Sequence, residues 1–450
     1  MKKFDIAYYL QNFVDIKVEN EIFFGGVSID SRKIKEGDIF IGLKGENFDG
    51  NMFADDAIKK GACVVILDNE EVYNRIDYNK ILVKNSLMAL KGIGKANLNS
   101  YKGKIVCITG SAGKTTTKKM AGEVLGSKKS VFVAYKNFNN EIGVSLNAAN
   151  IDTQSEYAIF EIGTNNPGEI EALSGYLNPD IGIVTNVGKS HIGRFNSVDA
   201  IGTEKASVLE YVKDYAIVYE NVVPFIKNYK CKVIVYGFSN KCDARIFGEK
   251  LVNNNINFSI NFRDKKYQFV LNHFYNHFVQ NLCAAAVLGL SEGISYESIA
   301  KTILNFSPEE HRGDVIKIGD LTVIDDTYNC SFESLLEALR SLGNIENDCG
   351  KYALIGEMAE IEGFEDEFYK QINEFAKNNN NIRFMFFGEK YVNLPAYDNT
   401  ESYLTKDEVF KKLSEMNSGV LLIKASRSKR FEEFVEFIKG RSQEMGKNAV

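Results

Sequence analysis

The chain has 450 residues, 44% hydrophobic and 25% charged, enough material for two or three hydrophobic cores. A formal net charge of -6 and a pI near 5.6 argue against a nucleic-acid binder, which usually shows a basic surplus. They leave nucleotide binding open, because local donors and a cation can offset phosphate charge. Seven cysteines without a C-x-x-C pair suggest neither a disulfide framework nor a zinc site, and Cys107 and Cys283, in apolar runs, read as small core residues.

No apolar run approaches the roughly 20 residues of a membrane span. The opening "MKKFDIAYYLQNF" carries acidic and polar breaks unlike a secretion signal. The expectation is a soluble cytoplasmic protein with neither membrane nor nucleic acid as partner. Residues 1–99 contain short strands and one clear helix-to-strand passage, "NMFADDAIKKGACVVIL". After the polar "KANLNSYKG" the pattern restarts, and apolar strand cores alternate with helical segments: "KIVCIT", "YAIFEIG", "DIGIVTNV", "AIVYE" and "KVIVYG". Such alternation points to parallel strands joined by crossover helices. The helix "HFVQNLCAAAVLGL" closes this part, and the polar "FSPEEHRGD", with Pro308 and Gly313, marks a hinge. Beyond it "LTVIDD", "KYALIGEM", "RFMFFGE" and "GVLLIKAS" repeat the alternation. The fold class expected is α/β in three domains: 1–99, a central P-loop ATPase-type parallel sheet at 100–312, and a Rossmann-like unit at 313–450.

The stretch "ITGSAGKTTTKKM" (108–120) sits between a strand and a helix. Free backbone N–H groups at a helix start, with the helix dipole behind them, attract phosphate. Gly110, Ser111, Ala112, Gly113, Lys114, Thr115 and Thr116 form the expected cradle. Lys114 would reach the β- and γ-phosphates, and the Thr115 hydroxyl would hold magnesium. An ordinary β–α turn is the bland alternative. The usual loop reads G-x-x-x-x-G-K-[ST], but Ile108 stands at the first glycine position.

The form T-G-x-x-G-K-T-[ST] resembles the ATP loop of the Mur ligases, amide-forming enzymes of peptidoglycan precursor synthesis, and of their folylpolyglutamate synthetase relatives. Other segments extend the resemblance along nearly the whole chain. "SIDSRKIKEGDIFIGLKGENFDGNMFADDAIKKGA" (28–62) resembles a UDP-binding N-terminal domain, and "NFNNEIGVSL" (137–146) resembles the segment of the family member that adds a dipeptide. "EIGTNNPGEI", "NVGKSHIGRF", "HFVQN", "IDDTYN", "GEMAEI" and "SRSKRFEE" resemble the same member. The implied reaction joins D-Ala-D-Ala to UDP-MurNAc-tripeptide at the expense of ATP, through an acyl phosphate, in a monomeric enzyme. A sibling that adds one amino acid to UDP-MurNAc-dipeptide is the near alternative. A P-loop NTPase switch is the distant one, although it would not need the "DSR…FDG" module.

The resemblance also implies roles for residues. Ser28, Asp30, Ser31, Arg32, Asn139 and Asn140 are expected to bind the UDP-linked substrate. Glu161 and His191 follow strands, and ligands in open parallel sheets lie at carboxyl ends. A carboxylate suits magnesium, whereas His191 reads equally well as a loop histidine bonded to backbone. The family places Thr115 and Glu161 on a first magnesium ion and His191 on a second. Lys205, by pattern a solvated surface lysine, matches the family lysine that carries a carbamate and so offers oxygen to the second ion. His277 and Asn281 share a helix face, either as a buried hydrogen-bonded pair or, by the match, with Asn281 near the adenine. Arg312 matches the arginine that meets the ATP phosphates. Asp326 would take the ribose hydroxyls and Asn329 the base, with Asp325 structural. Where the family continues Asn-Ala-Asn-Pro, this chain has Asn329, Cys330, Ser331 and Phe332. Ser426, Arg427 and Ser428 at another strand end read as an anion loop or a helix cap.

Overall fold

The computed structural model describes residues 2–3, 13–17, 23–347 and 349–447. They pack as two compact units, one within Met1–Cys107, Lys129–Thr164 and Glu169–Ile181, the other within Ile108–Lys128, Asn165–Gly168 and Gly182–Val450. Both units are α/β, with sheets rich in parallel strands.

In the first unit a five-stranded sheet runs in the order Phe13–Lys17, Lys80–Val83, Val64–Leu67, Ile39–Ile41, Val27–Ser28. Only the Phe13–Lys17 pairing is antiparallel. Strands such as "VVIL" are apolar throughout because both faces are covered. Ile39, Ile41, Val64 and Ile66 point into one core with Leu90 and Ile93 of helix Ser86–Ser100. Phe40, Val65 and Leu67, one residue out of phase, point into another with Ala54, Ala57 and Val72. The first of these cores also takes Ile142, Leu146 and Ala149 from helix Glu141–Ala149. Two asparagines stitch that helix in: Asn97 Nδ2 donates to Ala148 O at 2.8 Å, and Asn150 exchanges 2.9 Å bonds with the Val27 backbone in both directions.

The second unit holds two sheets. One runs Lys265–Leu271, Asn255–Phe262, Ala244–Val252, Lys232–Gly237, Tyr215–Tyr219 and on to Ile181–Val184. Its first three strands are antiparallel hairpins that the sequence reading did not separate from the parallel series. Their turns place Asn253 and Asn254 at φ 51° and 61°, and Arg263 and Asp264 at 51° and 59°. Positive φ at both central residues is what a tight two-residue hairpin needs. The other sheet runs Asp314–Ile318, Asp320–Asp326, Ser418–Lys424, Lys351–Gly356, Arg383–Phe387, Thr400–Tyr403, parallel beyond its first hairpin. The expected strands "LTVIDD", "KYALIGEM", "RFMFFGE" and "GVLLIKAS" are its four middle members. Their carboxyl ends, at Asp326, Gly356 and Lys424, carry the loops that hold Asn329, Glu360 and Ser426. Cys107 and Cys283 are buried, as their apolar settings suggest.

Candidate functional site

Strand Lys104–Thr109 runs into a turn and then helix Lys114–Gly126. Gly110 and Gly113 hold φ of 148° and 78°, a region that side chains rarely adopt. Space demands glycine there as well: a Cβ on Gly110 would lie 1.9 Å from Thr185 Oγ1, and one on Gly113 2.2 Å from Asn281 Oδ1. The turn is pinned from behind. Ser111 N–H donates to Asn186 O at 3.1 Å, Ala112 N–H to Asn186 Oδ1 at 2.9 Å, and Thr185 Oγ1 to Ala112 O at 2.5 Å. Gly113 is the N-cap and brings no side chain to the helix start. The first N–H groups of a helix have no carbonyl behind them, so this end presents donors and positive potential to an anion. Lys114 Nζ donates to Gly110 O at 2.8 Å, within the loop itself.

Polar groups from the C-terminal sheet belong to the same unit. Glu360, in the loop after strand Lys351–Gly356, places Oε2 3.0 Å from His191 Nδ1. That hydrogen bond, with the charges of Lys114 and Arg194 adding to it against burial, holds the Glu360 carboxyl below its usual range. The Arg312 guanidinium lies with its carbon over the Tyr328 ring, 3.7 Å from the centroid. Its Nε is buried without a hydrogen-bond partner among the described residues; the Glu309 carboxylate stands 3.9 Å away. Asp326 Oδ2 accepts from Lys424 Nζ at 2.7 Å, and the same ammonium reaches Asn329 O at 3.0 Å. Burial pushes the Asp326 carboxyl up, against the pull of Lys424. Asp325 is spoken for locally: it meets His311 Nδ1 at 2.7 Å and accepts from Thr327 Oγ1 at 2.7 Å. Asn281 Oδ1 accepts from Thr117 Oγ1 at 3.3 Å, beside the phosphate loop.

Comparison with known proteins agrees with this geometry. Residues 108–289 match the family model for the Mur ligase middle domain, and residues 24–96 that for the Mur ligase family, catalytic domain. A relative from Bacillus subtilis (strain 168), UDP-N-acetylmuramoyl-tripeptide--D-alanyl-D-alanine ligase, is 30% identical over 427 residues, covering 91% of this chain and 92% of its own. The chain belongs to the Mur ligase family. The protein of that same name from Rickettsia prowazekii (strain Madrid E) is 30% identical to this Mur ligase over 94% of the chain and 97% of the relative. Among solved structures, MurF from Acinetobacter baumannii superposes with a TM-score of 0.85 at 23% identity, over 97% of this chain and 99% of that one. The MurF ligase of Thermotoga maritima in complex with ADP gives a TM-score of 0.81 at 23% identity, over 93% and 98%. These likenesses fix the fold as that of the Mur ligases.

The other residues singled out in the sequence of this Mur ligase fall as follows. In the first unit, Asp30 caps the short turn Ser31–Lys33 by accepting from Arg32 N–H. It also receives the Arg32 guanidinium as a fork, Nε at 2.9 Å and Nη2 at 3.0 Å, which holds its carboxyl below the usual range. Ser28 Oγ donates to Asp30 O at 3.0 Å. Asn139 Nδ2 donates to Glu161 Oε1 at 2.9 Å, fixing a buried carboxylate at the end of strand Tyr157–Glu161. Asn140 caps helix Glu141–Ala149 through a 2.9 Å bond from Gly143 N–H. In the second unit, Lys205 is 1% exposed, so it is a core lysine rather than a solvated one. The loop residues 110–116, His191, Lys205, Asn281, Arg312, Asp326 and Asn329 all belong to that unit. The sequence reading passed over Thr185, Asn186, Tyr328, Glu360 and Lys424. Glu360 lay inside the quoted "GEMAEI", and Lys424 precedes the Ala-Ser of "KAS"; nothing in one dimension pairs them with His191 or Asp326.

Proposed function

We propose that this Mur ligase adds D-Ala-D-Ala to UDP-MurNAc-tripeptide, using ATP. The observation that carries the proposal is the match to relatives of that named activity over more than nine-tenths of the chain, on a phosphate loop whose glycines leave room for no side chain. The peptide carboxylate attacks the γ-phosphorus, the bond to the β-phosphate oxygen breaks, and ADP leaves. The amine of the dipeptide then attacks the acyl carbon. The C–O bond to phosphate breaks and the amine gives up its proton as the amide forms. Loop N–H groups, Lys114 and Arg312 meet phosphate charge that grows in the first step. Asn281 and Asn329 hold the base and Asp326 the ribose. Ser28, Asp30, Ser31 and Arg32, with Asn139 and Asn140, bind the UDP-linked substrate.

The side chains fit a hard divalent cation: a threonine hydroxyl, a carboxylate held by an amide, and an imidazole oriented by a carboxylate. Thr115, Glu161, His191 and a carbamylated Lys205 would hold two magnesium ions. When bound, magnesium neutralises charge on the transferring phosphoryl group. We place the enzyme in the cytoplasm as a monomer without nucleic-acid or membrane partners. No described helix is long and apolar enough to cross a membrane.

The test is phosphate release with UDP-MurNAc-tripeptide and a panel of amines. D-Ala-D-Ala should support turnover, and D-alanine alone should be poor, because its carboxylate sits one residue too close to orient the amine. Faster turnover of a diamino acid with UDP-MurNAc-dipeptide would overturn the substrate assignment.

A further inference from the structure

Loop Gly188–Gly193, which carries His191, is bonded by three carboxylates from the C-terminal sheet's loops and helices and closely approached by a fourth, Glu362. Lys189 N–H donates to Glu333 Oε1 at 2.7 Å, and Lys189 Nζ pairs with Glu367 Oε1 at 3.1 Å. That ammonium also lies 4.9 Å from the ring centroid of Phe368. Glycine at both ends permits the approach. A Cβ on Gly188 would come within 3.1 Å of the Glu333 carboxyl carbon, and one on Gly193 would meet Glu362 Oε2 at 2.6 Å. At the centre His191 and Glu360 meet at 3.0 Å, both with left-handed backbones, φ 62° and 63°. Two non-glycine residues in that conformation facing each other require the surroundings to hold them there.

The contact has a chemical consequence. A carboxylate at Nδ1 accepts a hydrogen bond from Nδ1–H and keeps the proton on that nitrogen, so the imidazole lone pair is left on Nε2, the tautomer suited to a metal. We propose that Glu360 is a positioning residue: it fixes the tautomer and ring plane of His191 from the C-terminal sheet, so the imidazole is ready to bind a cation only while that sheet is docked on the loop. This rests on the magnesium role given to His191 above.

The test uses the full chain with ADP and Mn2+, followed by the paramagnetic signal of free ion, alongside steady-state turnover. Glu360→Gln should weaken one class of Mn2+ by about tenfold and lower kcat by about 10- to 100-fold, with KM for the dipeptide within about twofold. Glu367→Gln removes one half-exposed ion pair from the same loop and leaves the Glu333 and Glu360 contacts in place, so the sheet stays docked and Mn2+ affinity should remain within about twofold. In a His191→Gln background, Glu360→Gln should add less than a twofold further loss. Equal Mn2+ loss in Glu360→Gln and Glu367→Gln, or additive losses in the double variant, would overturn the positioning role. Wild-type Mn2+ binding in His191→Gln would do so too. The ligase assignment is judged separately, by whether the wild-type chain turns over D-Ala-D-Ala.

Discussion

Replacing Gly113 by alanine tests the phosphate loop where its geometry is tightest. The new methyl would start 2.2 Å from Asn281 Oδ1 and 3.0 Å from its Cγ, in a backbone held at φ 78°. The left-handed conformation costs an alanine about 1–2 kcal/mol, and crowding a packed contact adds about 1–3 kcal/mol. Asn281 is 6% exposed and bonded to Thr117, so it has little room to retreat. Relief must come from shifting the helix start or Asn281, and both shape the same anion cradle. With partial relaxation, about 2–4 kcal/mol falls on the nucleotide-binding conformation, or about 30- to 1000-fold in affinity. Titration calorimetry of ADP into the full chain reads this directly. Gly126→Ala, at the other end of the same helix, is the control: its Cβ would meet nothing within 4 Å, and ADP affinity should not change. If Gly113→Ala bound ADP within threefold of wild type while keeping its circular dichroism, the cradle argument would fail.

Lys114→Ala should lower phosphate release at least ~100-fold with the fold intact, the scale of losing one pre-organised charge donor; near-wild-type turnover would remove the lysine from the ATP site. Lys205→Ala should be nearly inactive and unrescued by bicarbonate, whereas small carboxylic acids should restore part of the rate; an active variant would dismiss the carbamate. His273 is held neutral by burial, which brings its pKa from 6.5 down to about 4 against the opposing pull of Gly313 O, 2.9 Å from Nε2, while Nδ1 is occupied in accepting from Tyr275 N–H at 2.9 Å. The unfolded chain then binds a proton that the native chain refuses. The contribution is complete above about pH 6.5 and is lost as pH falls towards 4, about 2 kcal/mol by pH 5. A His273 resonance titrating near 6.5 in the native protein would contradict this.

The chain's one-dimensional pattern carried the parallel strands well, because "YAIF", "IGIV" and "VVIL" are buried on both faces and so carry no charged side chain. The hairpins between Ala244 and Leu271 escaped because their turns use Asn-Asn and Arg-Asp, and only the first pair advertises left-handed backbone. The phosphate loop was legible for a local reason: strand, glycines, lysine and helix are consecutive. Glu360 was not, since its partner His191 lies far away along the chain and only the stacking of one sheet's loops on another's brings them together. Lys205 misled for the opposite reason. Its short helix has ordinary composition, and nothing in a nine-residue pattern says which face the rest of the unit covers.

Asn97 and Asn150 set an order of events during synthesis. The helix Ser86–Ser100 buries Leu90 and Ile93 in a core shared with Ile142, Leu146 and Ala149, and Asn97 donates to carbonyls at 148, 149 and 151. Those partners leave the ribosome about 50 residues later, roughly 3–10 s at ordinary elongation rates. Until then part of the helix's apolar face is uncovered and the Asn97 amide lacks the carbonyls it meets in the native fold. A nascent chain paused between these two points would therefore be a good substrate for holding chaperones, and a fragment ending near residue 100 should be collected in inclusion bodies while one ending past residue 164 stays dispersed.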